Sequence, residues 1–86
     1  MPVVSQFYGI LIRMFYNDHV PPHVHAVYGE YELIVTISPI TILQGKAPNR
    51  VRSMVLEWTA LHQQELSDNW NRCRQGEPLL RIEPLE

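Results

Sequence analysis

The central stretch of the chain, from His23 to Ser38, reads HVHAVYGEYELIVTIS. Both halves are rich in β-branched and aromatic residues, which favour strands. Between the halves lies Gly29-Glu30, and a two-residue loop that begins with glycine is typical of a type II′ hairpin turn. The stretch therefore predicts two antiparallel strands over residues 23–28 and 31–38.

The register of this hairpin decides what His23 and His25 face. If the turn has two residues, Tyr28 pairs with Tyr31, and both histidines share a face with Glu32 because alternate strand residues point to the same side. The opposite face is apolar and is expected to pack on a helix. It carries Val24, Ala26, Leu33, Val35 and Ile37. The histidines would then point to solvent, a covering strand or a second subunit. A three-residue turn would instead place both of them in the core.

Strand signals extend on both sides of the hairpin. Residues 7–16 are nearly continuous in apolar side chains and predict one strand. Residues 17–22 form a loop, because adjacent prolines do not sit inside a central strand. Residues 40–43 predict a short further strand, and Gly45 is expected to end it.

From Pro48 onward the apolar residues recur every three or four positions, which indicates an amphipathic helix. These residues are Val51, Met54, Val55, Trp58, Leu61, Leu66, Trp70 and Cys73. The pattern predicts one helix over residues 49–74, of about seven turns. Gly76 and Pro78 follow in the order expected of a helix C-terminus. Residues 79–83 could return as a short edge strand.

Together these elements predict an α+β fold in which a small antiparallel sheet of three to five strands packs against one long amphipathic helix. The chain has 86 residues, the size of one domain, and 45% of them are hydrophobic. A domain this small buries only about 60–65% of the surface of its unfolded chain. Burial against a second copy or a cognate protein would therefore add stability.

Charge argues against a general affinity for polyanions. The net charge is -2, which gives no overall attraction to nucleic acid or to an anionic membrane. The basic residues are nevertheless grouped, with Lys46, Arg50 and Arg52 in one cluster and Arg72 and Arg74 in another. A local contact with nucleic acid therefore stays open, although charge does not favour it.

The cysteine count and the apolar runs point to a cytoplasmic protein without a membrane partner. A single cysteine, Cys73, excludes an intrachain disulfide and fits a reducing compartment. The amino terminus lacks the basic start and cleavage site of a signal peptide. The longest apolar run, residues 9–12, is far shorter than the ~20 residues that a membrane helix needs.

The segment from His19 to His25 holds three of the four histidines. Histidine ligates metals and exchanges protons near neutrality, since its unperturbed pKa is about 6.5. His23 and His25 on one strand face would project two imidazoles the same way, and His19 or Glu32 could add a third ligand for Zn²⁺, Ni²⁺ or Cu²⁺. Only two of these ligands are co-facial by sequence, so we expect no stoichiometric metal and no cofactor. If a metal is bound, His19, His23 and His25 are its expected ligands.

Acid–base catalysis is the second chemistry that these residues could perform. A metal-independent nuclease would use one histidine as base and another as acid, with Arg13 or Lys46 holding phosphate. The catalytic candidates are His23, His25, His62 and Glu65. His62 falls near the centre of the apolar helix stripe, with Asn69 beside it and Glu65 at its flank. These three form either a hydrogen-bonded structural network or the lining of a cleft. The candidates for binding a partner are His19, His23, His25, Tyr28 and Arg13.

Several segments of the chain match a known family pattern. They are Phe7-Tyr8-Gly9-Ile10, Met14-Phe15, the string from His19 to Glu30, Leu43-Gln44-Gly45-Lys46-Ala47-Pro48, Glu57-Trp58, Leu61-His62, Glu65-Leu66 and Asn69-Trp70. On these segments the chain resembles the domain of unknown function 4160 family, with Val24 where that family is expected to have phenylalanine. The resemblance implies a small prokaryotic, cytoplasmic protein, often encoded beside a second small protein in pairs suspected of being toxin–antitoxin modules. It supplies no catalytic residues.

The function predicted from these observations is protein binding within a toxin–antitoxin-like or regulatory pair. The expected partner is a cognate small protein from an adjacent gene, a second copy of the chain in a homodimer, or both. Two alternatives stay open. One is a small ribonuclease-type toxin that uses histidine acid–base chemistry, and the other is a histidine-based metal-binding protein.

Overall fold

The computed structural model of the protein describes residues 3–16 and 20–86. Within these residues, the elements in chain order are β1 (Val3–Phe7), β2 (Ile10–Arg13), β3 (His23–Tyr28), β4 (Tyr31–Ile37), β5 (Ile40–Lys46), α1 (Asn49–Leu61) and α2 (Gln63–Arg74). The strands form one antiparallel sheet in the order β1-β2-β3-β4-β5. The predicted α+β class is confirmed, because the sheet packs against helices.

The hairpin of β3 and β4 has the register predicted from the sequence. Tyr28 pairs with Tyr31, and Val24 pairs with Val35. Gly29 has a φ of 59°, the positive value that the first loop position of a type II′ turn requires. The face of the hairpin that carries Val24 and Val35 is completely buried at these two residues. We call this side of the sheet, which packs against the helices, the inner face.

The prediction of a single strand over residues 7–16 was wrong. The chain reverses at Tyr8-Gly9, so Phe7 pairs with Ile10, and β1 and β2 form a hairpin of their own. Tyr8 has a φ of 50° and Gly9 a φ of 80°, and positive φ at both loop positions matches a type I′ turn. Tyrosine rarely adopts this conformation. The nearly continuous apolar pattern of residues 7–16 therefore concealed the turn.

Strand β5 continues past its predicted end at residue 43. Gly45 lies inside the strand with a φ of 105° and pairs with Leu33. The register shift of this strand pair lies two residues away, where Leu43 of β5 is the extra residue of a bulge. A Cβ atom at position 45 would collide with the backbone carbonyl of Glu32. Glycine therefore permits a close strand approach here instead of ending the strand.

The long helix predicted over residues 49–74 is two helices, α1 and α2. The backbone leaves the helical conformation at His62, where φ is −121° and ψ is 27°. Neither glycine nor proline stands at the break, so the usual sequence signals of a helix end are absent. Just after the break, the side chain of Gln63 donates a hydrogen bond to the carbonyl oxygen of Ile37 at the end of β4, at 2.6 Å. The break between the two helices therefore lies where a side-chain hydrogen bond connects the chain to the sheet.

The predicted apolar stripe forms the buried side of both helices. Its buried members are Val51, Val55, Trp58, Leu66, Trp70 and Cys73. Trp58 is completely buried, and its ring lies 5.5 Å from that of Phe7 on β1, measured between centroids. Trp58 therefore joins sheet and helix as a core anchor. Across the part of the chain that is described, no helix has the length and apolarity needed to span a bilayer.

Residues 79–83 do not form the predicted edge strand. One backbone hydrogen bond, from the Ile82 N–H to the Val4 carbonyl oxygen at 2.8 Å, connects this segment to β1. The other hydrogen bonds that hold the segment come from side chains of the helices. Asn69 makes two hydrogen bonds to the backbone of Leu80, and Trp58 Nε1 donates to the Glu83 carbonyl oxygen at 2.8 Å. The segment is therefore bound to the helices rather than paired as a strand.

Candidate functional site

The side of the sheet opposite the helices, here called the outer face, carries most of the predicted site residues. The strand register places these side chains on it: Leu11, Arg13, His25, Val27, Glu32, Ile34 and Lys46. The apolar members are half-buried, whereas their neighbours on the inner face are fully buried. The outer face is therefore an apolar surface bordered by charges.

His25 lies in the middle of the outer face, as the two-residue hairpin predicted. It pairs across the strands with Arg13 on one side and Ile34 on the other. Its Nδ1 lies 3.0 Å from Oε2 of Glu32 and forms an ion pair when the imidazole is protonated. The ring of Phe15 meets it edge-on, with 4.6 Å between centroids. These contacts fix the orientation of the imidazole.

His23 departs from the expectation that both histidines would face solvent, a covering strand or a second subunit. It is only 7% exposed, and its ring lies 5.3 Å from that of Trp70 on α2. Nδ1 donates a hydrogen bond to the Pro21 carbonyl oxygen at 2.7 Å. The register puts His23 on the same side as His25, but its place at the first residue of β3 brings the ring against a helix. His23 is therefore largely a packing residue.

Tyr28 is separated from the other residues that we predicted to bind a partner. It follows Val24 and Ala26 on the inner face, where it packs against the hydrophobic core. His19 lies outside the described residues. Of the predicted binding set, the structure brings together His25 and Arg13 on the outer face, with His23 adjacent to them.

Arg13 and Lys46, either of which we expected to hold phosphate, lie far apart on the outer face. Arg13 is on β2 and Lys46 is on β5, with two strands between them. At about 4.8 Å per strand, and with Lys46 two residues further along its strand, their backbones are roughly 16 Å apart. The Nε atom of Arg13 is buried and has no hydrogen-bond partner in the described part of the chain. The expectation that one of these residues, Arg13 or Lys46, holds phosphate stays a prediction.

His62 and Glu65 do lie together, at the junction of α1 and α2. The His62 Nδ1 atom is 2.6 Å from Oε1 of Glu65, and the imidazole ring packs 5.3 Å from that of Trp58. Asn69, which we expected to join this network, binds the backbone of Leu80 instead. The pair lies on the helix side of the sheet, so the catalytic candidates fall at two separate places.

A groove of about 450 Å³ opens beside His62. It is lined by Glu57, Leu61, His62, Glu83, Pro84, Leu85 and Glu86. A histidine held by a carboxylate at the edge of such a groove has the arrangement of an oriented acid or base. In this groove, however, no second histidine accompanies His62.

The described residues contain no assembled metal site. Across residues 3–16 and 20–86, no three His, Cys, Asp or Glu side chains are grouped so that they could hold a metal ion. Cys73 is buried on the helix stripe. Because His19 is not described, the metal expectation stays a prediction.

Phe15 is the site residue that sequence reasoning missed. It stands two positions after Arg13, and its ring covers one edge of His25. The alternation of side chains along a strand contained this signal, because residues two apart share a face. The prediction of a single strand over residues 7–16 did not assign its side chains to either face of the sheet, so it did not place Phe15 beside His25.

Comparison with the models of known protein families gives a match. The model of a protein family described as Domain of unknown function (DUF4160) matches residues 9–71. No curated protein and no solved structure matches this chain. The matched range includes β2 to β5, α1 and most of α2, and therefore the outer face and the His62–Glu65 pair.

Proposed function

The chain belongs to the DUF4160 family, and we propose that it is a protein-binding module whose outer face docks a cognate small protein. The observation that carries the proposal is the contrast between the two faces of the sheet. Both helices pack on the inner face, while Leu11, Val27 and Ile34 stay half-buried on the outer one. Burying this apolar strip would contribute roughly 25 cal/mol per Å² of apolar area.

The charges of the outer face support a protein partner. Arg13 lies at one side of the apolar strip, and Glu32 and Lys46 lie at the other. An apolar centre with a polar and charged rim is the usual composition of a protein–protein interface. Charges of both signs at the rim favour a protein with its own mixed charges over a uniformly anionic nucleic acid.

Docking on the face of the sheet is favoured over strand addition at its edge. The open edge is β5, which carries the bulge at Leu43 and ends in Lys46. Bulges and edge lysines are the features that discourage pairing with a further strand. At the other edge, the Ile82 N–H already occupies the Val4 carbonyl oxygen. The face therefore offers the larger accessible surface.

The test measures binding to the purified product of the adjacent gene. Val27→Glu places a charge in the middle of the apolar strip and is expected to weaken binding by roughly a hundredfold or more, about 3 kcal/mol. Gln64→Glu adds the same charge on the exposed side of α2 and serves as the matched control. Isothermal titration calorimetry gives both affinities. Equal affinity for the two variants, or no binding by the unmodified protein, would contradict the proposal.

The toxin–antitoxin-like pairing and the cytoplasmic setting are part of the same proposal. They are supported by the resemblance in sequence and by the single, buried Cys73. Expression of the protein alone, of its neighbour alone, and of both together tests the pairing. Growth arrest caused by one protein and relieved by the other is the expected result. Normal growth in all three cases would remove the toxin–antitoxin part while leaving the binding module.

The enzymatic alternative is favoured by a different observation, the His62–Glu65 pair beside its groove. A ribonuclease-type reaction would use His62 as the base, oriented by Glu65. Cleavage of RNA by the purified protein that is lost in His62→Gln and kept in His25→Gln would establish this second candidate. Absence of cleavage by the unmodified protein would leave the binding module alone.

A further inference from the structure

Helix α1 carries its charges against its own dipole. Arg50 and Arg52 stand at its start, where the first turn has no acidic residue, and the last turn has no basic one. Because a helix is partially positive at its N-terminus and negative at its C-terminus, cations are unfavourable at the start and anions at the end. The interaction of these charges with the helix dipole therefore does not stabilise α1.

The start of α1 forms a basic end that consists of Lys46, Arg50 and Arg52. All three side chains are exposed, and none takes part in an ion pair within the described residues. Lys46 is the last residue of β5, and only two residues separate it from the first residue of α1. The basic end therefore carries three exposed positive charges that have no ion-pair partner in the described part of the chain.

The other end of α1 forms an acidic groove, which is the groove beside His62. Its rim carries Glu57, Glu83 and Glu86, none of which forms an ion pair within the described residues. Its wall includes Leu61, which is 65% exposed, and Leu85. An exposed leucine bordered by unpaired carboxylates offers both apolar contact and negative charge to a positively charged surface.

We propose that a second copy of this chain docks along α1 in the antiparallel direction, so that the basic end of each copy enters the acidic groove of the other. Arg50 and Glu57 are seven residues apart, or about 10 Å along the helix. A two-fold axis beside Ser53 therefore brings Arg50 of each copy opposite Glu57 of the other. Ser53 is exposed and small, so it permits close approach of the two helices at the axis.

A second copy fits these observations because both complementary surfaces lie on one helix. A two-fold interface requires a patch that is complementary to itself, and opposite charges at the two ends of α1 meet this requirement. The contact depends on exposed charges at the two ends of α1, and such charges contribute little individually and are screened by salt. The dimer is therefore weak and sensitive to salt. It leaves the apolar strip of the outer face uncovered and shares with that face only Lys46 at its rim, so it does not require the cognate partner.

The test is a charge exchange followed by sedimentation velocity at about 20 mM salt. Arg50→Glu and Glu57→Arg are each expected to weaken self-association by roughly tenfold or more, because each places like charges opposite one another twice in the dimer. The double variant with both substitutions restores opposite charges and is expected to recover the affinity to within about threefold. Glu30→Arg at the hairpin tip makes the same kind of change outside the interface and is the control.

Circular dichroism establishes that each variant is folded before it is compared. Three results would overturn the proposal: a protein that stays monomeric up to about 1 mM at low salt, single reversals that leave association unchanged, or a double variant that does not recover. Growth beyond the dimer with concentration would contradict the two-fold arrangement. Val27→Glu on the outer face is expected to dimerise normally, which separates this proposal from the docking of a cognate protein.

Discussion

The carboxamide of Asn69 binds both hydrogen-bonding groups of the Leu80 backbone. Nδ2 donates to the Leu80 carbonyl oxygen at 2.8 Å, and the Leu80 N–H donates to Oδ1 at 3.0 Å. Asn69 is nearly completely buried on α2. A side chain thus takes the place of a neighbouring strand for this part of the chain, and it positions the segment that walls the acidic groove.

Replacing Asn69 tests how much this contact contributes. Asn69→Ala leaves the part-buried N–H and carbonyl groups of Leu80 without their partner, so it is expected to lower the free energy of unfolding by about 1–3 kcal/mol. Asn71→Ala, two residues further along the same helix and exposed, is the control. Urea denaturation followed by fluorescence gives both values. A loss below about 0.5 kcal/mol for Asn69→Ala would show that the segment is held by other contacts.

Trp58 is expected to be the most costly single core substitution. Trp58→Ala removes a fully buried ring and its hydrogen bond to the Glu83 carbonyl oxygen, and the expected loss of unfolding free energy is about 3–5 kcal/mol. In so small a domain this loss is expected to abolish cooperative folding. Trp58→Phe keeps most of the volume but not the hydrogen bond, and should lie in between. Near-native thermal stability of Trp58→Ala would contradict the assignment of the core.

A comparison of Gly45 with Gly76 distinguishes the energetic cost of a left-handed backbone conformation from the cost of a steric collision. Both have positive φ, at 105° and 72°, but only at Gly45 would an added Cβ meet the backbone of a neighbouring strand. Gly76→Ala is expected to cost about 1 kcal/mol through its left-handed conformation alone. Gly45→Ala is expected to cost at least about 2 kcal/mol more, because β5 must move away from β4. Equal thermal stability of the two variants would mean that β5 moves away from β4 without a measurable cost.

The charges of α1 give a stability prediction that is independent of dimer formation. Arg50→Glu places an acid in the first turn of the helix and is expected to raise the unfolding free energy of the monomer by about 0.3–1 kcal/mol. The measurement is made at about 500 mM salt and low protein concentration, where the proposed dimer is dissociated. Arg74→Glu, in the last turn of α2, reverses the effect of the dipole and should destabilise. Destabilisation by Arg50→Glu would reveal a contact of Arg50 within the chain.

We expect purified protein to carry no stoichiometric transition metal. His25 and Glu32 are bound to each other on the outer face, and a structural zinc site needs about four ligands. Elemental analysis after purification without an affinity tag measures the metal content. About one zinc or nickel per chain, lost in the double variant His23→Ala with His25→Ala, would contradict this expectation and favour the metal-binding alternative.

Local chemistry was enough to predict the central hairpin and the helix stripe. The Gly29-Glu30 turn sets the register, and the register sets which of Val24 and His25 is buried, because side chains alternate along a strand. The pairing of His62 with Glu65 was also within reach, since residues three apart on a helix are neighbours. These features depend on residues close together in sequence.

The turn at Tyr8-Gly9 and the helix break at His62 could not be read from their residues. Tyrosine at positive φ is uncommon, and His62 is neither glycine nor proline. Each is accompanied by contacts with distant parts of the chain: Phe7 next to the turn packs on Trp58, and Gln63 after the break binds the Ile37 carbonyl oxygen. Such contacts exist only once the elements have assembled.

In the histidine segment, the position of His25 followed from the local sequence, whereas that of His23 depended on the packing of distant elements. The two-residue turn alone places His25 on the same face as Glu32, because such a turn admits one register. The packing of the helices on the sheet is what buries His23 against Trp70, a residue forty-seven positions away, and what brings Asn69 to Leu80 instead of His62. The physical reason is that strand alternation and helix periodicity are properties of neighbouring residues, whereas burial and hydrogen-bond partners depend on which elements the folded chain brings together.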